Sequence, residues 1–139
     1  MRNRIIAAAV IAGLASTFAG PAPAHDGPTE SVKAKFDRSI PNIPGKSIRV
    51  VEVDYAPNGA SRPHTHAKSA FIYAYVLSGA IESRVNGGET RRYKTGESWF
   101  EAPGAIHSIS RNASTSKPAK LLAVFIVDSD DNKLTTPVK

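Results

Sequence analysis

Residues 64–79 read HTHAKSAFIYAYVLSG and contain the strongest local signals for strand structure in the chain. Its second half, residues 71–77, is a continuous run of apolar and aromatic residues, which is the composition of a buried strand. A Ser-Gly pair then ends the run with a turn signal. Its first half holds His64 and His66, which project to the same face of an extended chain because side chains alternate along a strand. The stretch therefore predicts two histidines on one face, directly before a strand buried in a core.

The rest of the chain predicts the same kind of structure. Short apolar or alternating segments are separated by Gly, Pro and Asn turn signals, with a hairpin signal at Asn86-Gly87-Gly88. These segments predict seven strands, at residues 48–55, 71–77, 81–85, 90–93, 98–101, 106–110 and 120–127. Short strands at this spacing, without an amphipathic helix, indicate an all-β sandwich or barrel. A chain of 139 residues is too short for a second domain.

The first 24 residues are predicted to be a secretory signal peptide. Arg2 and Arg4 precede an apolar run over residues 5–18, and Ala22-Pro23-Ala24 has the small-residue form of a cleavage site. The alternatives are an uncleaved membrane anchor or a buried helix, but the run is shorter than the roughly 20 residues that span a bilayer. Cleavage after Ala24 predicts a periplasmic or secreted protein that has no stable membrane span.

The amino-acid composition excludes several classes of binding site and of function. The chain has no cysteine, which excludes disulfides, Cys-ligated zinc, iron–sulfur clusters and thiol nucleophiles. Its net charge is +6, but the basic residues are scattered and interrupted by acidic ones, so nucleic-acid binding is not predicted. After the signal peptide, the pattern predicts an N-terminal arm or edge segment (residues 25–46), a β-barrel (47–127) and a polar C-terminal tail (128–139).

Three of the four histidines predict a metal site. Two imidazoles at positions i and i+2, here His64 and His66, form a chelating pair for a transition metal. His107 follows a Pro-Gly turn and begins a different strand, which a barrel could bring across to the pair. The alternative is that His-x-His is only a polar loop element, which is common for so short a pattern.

Both histidine segments lie in motifs that resemble those of the cupin superfamily, specifically small single-domain cupins of the type-2 class. The similar positions are Gly59, His64-Thr-His66 and Tyr75-Val-Leu-Ser-Gly79 in the first motif, and Gly96, Pro103-Gly-Ala-Ile-His107 and Asn112 in the second. The resemblance covers roughly residues 47–127. It implies an antiparallel jelly-roll barrel with a metal inside its mouth, held by His64, His66 and His107.

The resemblance is incomplete at one ligand. Cupins usually have a glutamate shortly after the second histidine, whereas residues 67–71 contain no carboxylate. The spacing from His66 to Gly79 is also longer than usual, and four residues rather than three separate His107 from Asn112. One interpretation is a neutral three-histidine site, as in cupins similar to thiol dioxygenases. The other is a carboxylate from elsewhere, for which Glu101 is the leading candidate unless its register turns it to the surface or outside the ligand shell.

The resemblance implies a divalent transition metal, namely Fe, Mn, Ni or Zn, and a small-molecule substrate. The first hypothesis is a metal-dependent oxygenase or isomerase; the alternatives are a non-catalytic metal- or ligand-binding module and a structural dimer stiffened by its metal. A homodimer formed through the outer strands is also expected for this resemblance. No catalytic residue is identified from the sequence.

Two further groups of residues have alternative interpretations. Five aromatic residues are expected mainly in the core: Phe71, Tyr73, Tyr75, Trp99 and Phe100. Tyr73 and Tyr75 share a face of their strand, and one of them could also line the pocket. Arg62 and Arg111 lie close to the histidines in sequence. They are either binding groups for an anionic substrate or surface charges.

Overall fold

The described part of the chain, residues 29–139, folds in this computed structural model into ten β-strands and no helix. In chain order the strands are β1 (Glu30–Ser39), β2 (Lys46–Tyr55), β3 (His64–His66), β4 (Phe71–Ser78), β5 (Ala80–Val85), β6 (Arg91–Lys94), β7 (Ser98–Glu101), β8 (Ile106–Asn112), β9 (Ala119–Asp128) and β10 (Thr135–Pro137). The all-β prediction is confirmed. Within the same residues no helix could span a membrane. The signal peptide predicted for residues 1–24 lies outside the described residues.

The strands form two antiparallel five-stranded sheets. The first has the order β1-β2-β9-β4-β7 and the second has the order β10-β3-β8-β5-β6. Because neighbours in each sheet are mostly not neighbours in sequence, the chain crosses repeatedly between the sheets. The two sheets face each other across a common interior, as in a jelly roll.

The core is built by strict alternation along the central strands. On β9 every second residue is buried, and Leu121, Phe125 and Val127 are at most 4% exposed. On β4 the buried positions are Ile72, Ala74 and Val76, which meet the inward face of β9. Trp99 of β7 joins this cluster. This period of two sends half of each strand's side chains to the opposite face of the sheet.

The same alternation corrects the prediction for residues 71–77. The run is continuously apolar, but only alternate residues are buried, while Phe71 and Tyr73 are each 44% exposed. Phe100 is 66% exposed on the neighbouring strand β7, whereas Trp99 is in the core as expected. The expectation of a core location is therefore wrong for Phe71, Tyr73 and Phe100, which lie on the outer face of the first sheet.

All seven predicted strands are present as β2 and β4 to β9, with ends that differ by up to two residues. Three further strands, β1, β3 and β10, were not predicted as strands. β1 is an edge strand of ten residues, nine of which are exposed, so it has no buried face to create a hydrophobic alternation. β3 and β10 have three residues each and pair with one another, and such short segments carry no periodic signal.

We predict that Gly79→Ala destabilises the fold more than Gly87→Ala. Both glycines have positive φ angles, 72° and 70°, at which a side chain is strained. At Gly79 an added Cβ would also lie 2.9 Å from Ala119 Cβ and from the carbonyl oxygen of Pro118, while at Gly87 it meets nothing within 4 Å. We expect Gly79→Ala to lower the free energy of unfolding by about 2–4 kcal/mol and Gly87→Ala by about 1 kcal/mol, measured by urea unfolding. Equal losses would show that the close packing at Gly79 contributes nothing.

Candidate metal centre

Two adjacent strands bring three histidines together. β3 carries His64 and His66 on one face, and β8 carries His107 directly opposite His64 in the antiparallel register. The ring centroids are 4.7 Å apart for His64–His66, 5.3 Å for His64–His107 and 5.9 Å for His66–His107. One ring nitrogen of each residue lies within 4.8 Å of the other two, so the group could hold a metal ion. The structure thus assembles the three histidines identified from the sequence.

Glu101 reaches the same cluster from the other sheet. It pairs with Ile72 of β4, so its side chain points inward and is 2% exposed. Its Oε2 lies 3.0 Å from His66 Nε2, and its Oε1 lies 3.2 Å from His107 Nδ1. Of the alternatives left open by the sequence, a surface position for Glu101 is wrong. The end of β7 thus places a carboxylate beside two of the three histidines, although residues 67–71 contain none.

Each histidine is oriented by a hydrogen bond on the side away from its neighbours. His64 Nδ1 donates to the carbonyl oxygen of Arg62 (2.7 Å), and His66 Nδ1 donates to that of Leu134 (3.4 Å). Because a carbonyl can only accept, both rings carry a proton on Nδ1, which leaves Nε2 of each ring facing the other side. His107 Nε2 bonds with Ser83 Oγ at 2.8 Å, while its Nδ1 faces Glu101. Such outer partners fix the tautomer of metal-binding histidines.

The partners Leu134, Ser83 and Trp99 were missed by sequence reasoning. Trp99 Nε1 donates to Glu101 Oε1 at 3.0 Å and so holds the carboxylate. Trp99 and Glu101 are two residues apart on one strand, which was a readable signal that they share a face. Leu134 precedes the three-residue strand β10, and Ser83 lies in the middle of β5. Nothing in the local sequence connects either residue to a histidine far away in the chain.

Two atoms in the cluster are buried without a hydrogen-bond partner among the described residues. They are His66 Nε2 and Glu101 Oε2, and the contact between them at 3.0 Å is not aligned as a hydrogen bond. At this distance the carboxylate oxygen needs a positive charge beside it, which either a proton on the His66 ring or a bound metal ion would supply. Two ligand atoms at about 2.1 Å from one octahedral metal ion are about 3 Å apart. The donor set of imidazole nitrogens and one carboxylate therefore fits a divalent transition metal.

The ionisation states also suit a metal. Burial lowers the pKa of His64, and burial lowers the pKa of His107 to about 4, so both rings are neutral at pH 7. Burial raises the pKa of Glu101, but the adjacent His66 and His107 rings and the Trp99 indole outweigh this effect and lower the pKa overall. Neutral imidazoles and an ionised carboxylate are the forms that bind metal ions.

The cluster forms part of the lining of a cavity of about 810 Å³ between the sheets. Its apolar lining includes Val51, Val53, Ile72, Ala74, Leu121, Ala123, Phe125 and Leu134. Arg62 is exposed and also lines the cavity, so it lies where the cavity meets solvent. Arg111 does not line the cavity and forms a 2.7 Å ion pair with Glu82, as a surface charge would. Tyr73 and Tyr75 share a face as predicted, but that face is the outer one, so neither lines the cavity.

Comparison with known proteins gives a family and a fold. The model of the family described as "Cupin domain" matches residues 51–125. The germin-like protein subfamily 2 member 2 of Arabidopsis thaliana is 32% identical over 90 residues, which are 62% of this chain and 40% of that protein. The chain therefore spans less than half the length of this curated relative.

Solved structures show the same arrangement of strands. The TT1209 protein of Thermus thermophilus superposes with a TM-score of 0.58 and 27% identity, covering 71% of this chain and 84% of that one. An oxalate oxidase in complex with the substrate analogue glycolate superposes with a TM-score of 0.57 and 20% identity, covering 72% of this chain and 52% of that one. The second similarity shows the fold alone.

We predict that the metal-free protein loses stability in acid. Because His64 and His107 have lowered pKa values in the folded state, the unfolded chain binds more protons below its ordinary histidine pKa of about 6.5. The free energy of unfolding therefore falls as the pH decreases from about 6.5 towards 4, with His107 alone contributing on the order of 3 kcal/mol.

Urea unfolding of chelator-treated protein across this pH range measures the effect. In His107→Gln one of the two titrating rings is removed, so the pH dependence should be clearly weaker than in the wild type. A wild-type stability that does not change between about pH 6.5 and 4.5 would contradict the prediction.

Proposed function

This chain belongs to the cupin family, and we propose that it is a metal-dependent cupin that binds one divalent transition-metal ion and a small oxygen-bearing molecule beside it. His64, His66 and His107 are the proposed ligands, with Glu101 as the fourth. The observation that carries the proposal is the convergence of the three imidazoles, with Glu101 Oε2 3.0 Å from His66 Nε2 and both atoms buried without a hydrogen-bond partner among the described residues. Since the same residues line a large cavity, a bound molecule would lie next to the ion.

In this proposal the residues of the protein hold the metal ion, orient its ligands and exclude water from the bound molecule. The carbonyl oxygens of Arg62 and Leu134 keep the His64 and His66 rings turned towards the centre, and Trp99 holds Glu101. When bound, the metal supplies Lewis acidity or activates oxygen. The apolar lining of the cavity excludes water from the bound molecule, and the charge of Arg62 at the opening favours entry of an anion.

The reaction class that fits best is an oxygenase or isomerase acting on a small molecule. A structural neighbour is named an oxalate oxidase, which is an enzyme acting on a small molecule at a cupin fold. The alternative is a non-catalytic metal- or ligand-binding module. One observation favours that alternative: the two carboxylates of the cavity lining, Glu30 and Glu101, are already hydrogen-bonded to Ser61 and Trp99, so neither is a free general base. Bound iron with oxygen consumption would support the enzyme, and tightly held zinc without turnover would support the module.

We predict that the purified protein contains close to one equivalent of transition metal. His64→Ala/His107→Ala should contain less than about a tenth of this amount, because two of three nitrogen ligands are lost. Glu101→Gln should bind the metal at least about tenfold more weakly, because an amide replaces an anionic ligand. Elemental analysis and a competition titration with a metal chelator measure the two effects.

Glu97→Gln is the matched control for the carboxylate, since Glu97 is exposed in the turn before β7 and accepts a hydrogen bond from the backbone of Lys94. It should keep the wild-type metal content and affinity. Equal, trivial metal in the wild type and the double histidine variant would overturn the proposed metal centre.

We further propose that the protein is a homodimer that pairs through the outer face of the first sheet. One apolar row crosses all five strands of this face in register: Phe36, Val50, Val124, Tyr73 and Phe100. A second row consists of Ile48, Ile126 and Phe71, and the Phe71 ring stacks on Phe100 with centroids 5.8 Å apart. Contiguous exposed apolar surface of this kind marks interaction sites.

A second copy of the chain fits this face better than a charged partner. Several charges on the same face are already paired with one another: Lys33 and Lys120 contact Asp54 at 2.7 and 3.1 Å, and Lys120 also contacts Glu52 at 3.1 Å. Arg38, opposite Ile48 on the edge strand, instead lies over the Phe36 ring. A two-fold pairing would therefore join apolar rows while most charges of the face keep their partners within one copy.

We predict that Phe100→Glu shifts the protein from dimer to monomer, because it places a charge within the apolar face, at the end of the row and beside Phe71. Ile106→Glu is the control, since Ile106 is 46% exposed but belongs to β8 in the other sheet. Sedimentation equilibrium should give at least about a tenfold weaker dimer for Phe100→Glu and no change for Ile106→Glu. A monomeric wild type, or equal effects of the two substitutions, would rule out this face.

Export of the protein to the periplasm or the medium is also proposed. It is supported by the charged start, the apolar run and the cleavage pattern of residues 1–24, and mass spectrometry of the mature N-terminus tests it.

A further inference from the structure

A second polar cluster lines the same cavity and plays no part in holding the proposed metal. It consists of Glu30, Tyr55, Ser61 and Ser110, which form one continuous chain of hydrogen bonds. Tyr55 Oη contacts Ser61 Oγ at 2.7 Å and Ser110 Oγ at 2.8 Å, and Ser61 Oγ bonds with the Glu30 carboxylate. Tyr55 is 2% and Ser110 4% exposed, so the hydroxyl groups lie inside the protein rather than at its surface.

The carboxylate at one end fixes the direction of every proton in this chain. Ser61 donates its single hydroxyl proton to Glu30, which can only accept. Ser61 Oγ must therefore accept from Tyr55, and Tyr55, having donated its only proton, must accept from Ser110. All three hydroxyl protons point along the chain towards Glu30. No hydroxyl proton remains for a molecule in the cavity, whereas Ser110 and Ser61 keep unused lone pairs.

This chain of groups ends a short distance from the proposed metal ligands. On β5 the partner of Ser110 is Ser83, and the partner of His107 is Val85, two positions further along the strand. Two residues of a strand span about 7 Å. Ser83 also bonds with His107 Nε2, so the two polar parts of the cavity share one pair of strands. A molecule of a few carbon atoms can reach both.

We propose that Glu30, Tyr55, Ser61 and Ser110 form an acceptor subsite, which binds a hydroxyl or ammonium group of the molecule whose other end reaches the histidines. This inference rests on the proposed function of the cavity. It adds the chemical class of the ligand: one oxygen-bearing end for the metal centre, and one hydrogen-bond donor about four or five bonds away. A carboxylate is disfavoured at the donor end because the subsite offers it no proton and adds the charge of Glu30.

Two probes of equal length test the acceptor subsite. The probes are 5-hydroxypentanoate, which ends in a donor, and glutarate, which ends in a second carboxylate; pentanoate, with no distal polar group, is the reference. Dissociation constants are measured by calorimetry on the zinc-loaded and on the chelator-treated protein. We expect 5-hydroxypentanoate to bind about tenfold more tightly than glutarate in both forms, since the ratio depends on the subsite and not on the metal.

Substitutions then test whether the preference for 5-hydroxypentanoate over glutarate depends on the direction of the hydroxyl protons. Glu30→Gln replaces a pure acceptor with an amide that can also donate, so the hydroxyls are no longer fixed and the preference should fall to within about threefold. Tyr55→Phe removes the central link and frees the Ser110 proton, with the same expected fall. Tyr73→Phe is the matched control, because Tyr73 lies on the outer face and should leave the ratio unchanged. Glu30 is only partly buried, so Glu30→Gln still tests the subsite if Tyr55→Phe fails to fold.

The outcomes separate the two proposals. A wild type that binds no metal but keeps the tenfold preference overturns the proposed metal centre and supports the acceptor subsite. A wild type that binds metal but shows equal affinities, or a preference unchanged in Glu30→Gln and Tyr55→Phe, overturns the acceptor subsite alone. Absence of measurable binding of all three acids to both forms also overturns it.

Discussion

Burying a carboxylate among three imidazoles costs free energy unless every lone pair finds a donor or a cation. In this protein the indole of Trp99 donates to Glu101 Oε1, while Oε2 lies 3.0 Å from His66 Nε2, and neither of these two atoms has a hydrogen-bond partner among the described residues. The rings of His64 and His66 bond to backbone carbonyls through Nδ1, which leaves Nε2 of each ring on the other side. A positive charge at this point, from a proton on His66 or from a bound metal ion, would compensate the buried carboxylate. Strands β3, β7 and β8 hold the four side chains around it.

The carboxylate of the cluster does not come from the position where cupins usually have a glutamate. Residues 67–71 contain no acidic group, so the strand that follows the histidine pair cannot supply one. Glu101 instead comes from the last residue of β7, at the edge of the opposite sheet, just before the turn that leads to His107. The two sheets thus share the cluster: β3 and β8 contribute the imidazoles and β7 contributes the carboxylate. Anything that shifts the sheets relative to one another would change the distances among these side chains.

The alternation of side chains along the strands gives the first sheet an inner face and an outer face of different character. On the first sheet, Ile72 and Ala74 face the cavity while Phe71 and Tyr73, their neighbours in sequence, face outward. The inner face encloses the small-molecule cavity, with the histidine cluster and the hydroxyl chain of Tyr55 in its lining. The outer face presents the apolar rows on which the proposed dimer depends. One sequence pattern of period two therefore produces both a lined cavity and an exposed apolar face.

The sequence by itself determined the strands with a buried face, the all-β class and the three histidines. Hydrophobic alternation and turn residues are local signals, and His64 and His66 are close together in the chain. It could not determine β1 and β10, which pair without burying a hydrophobic face, or the exposure of Phe71, Tyr73 and Phe100, since an apolar run does not say whether one or both faces are covered. Only the tertiary structure decided that Glu101 points inward and that Leu134, Ser83 and Trp99 orient the cluster. These facts depend on strand register and on pairing between residues far apart in the chain, and a shift of one residue would reverse every side chain.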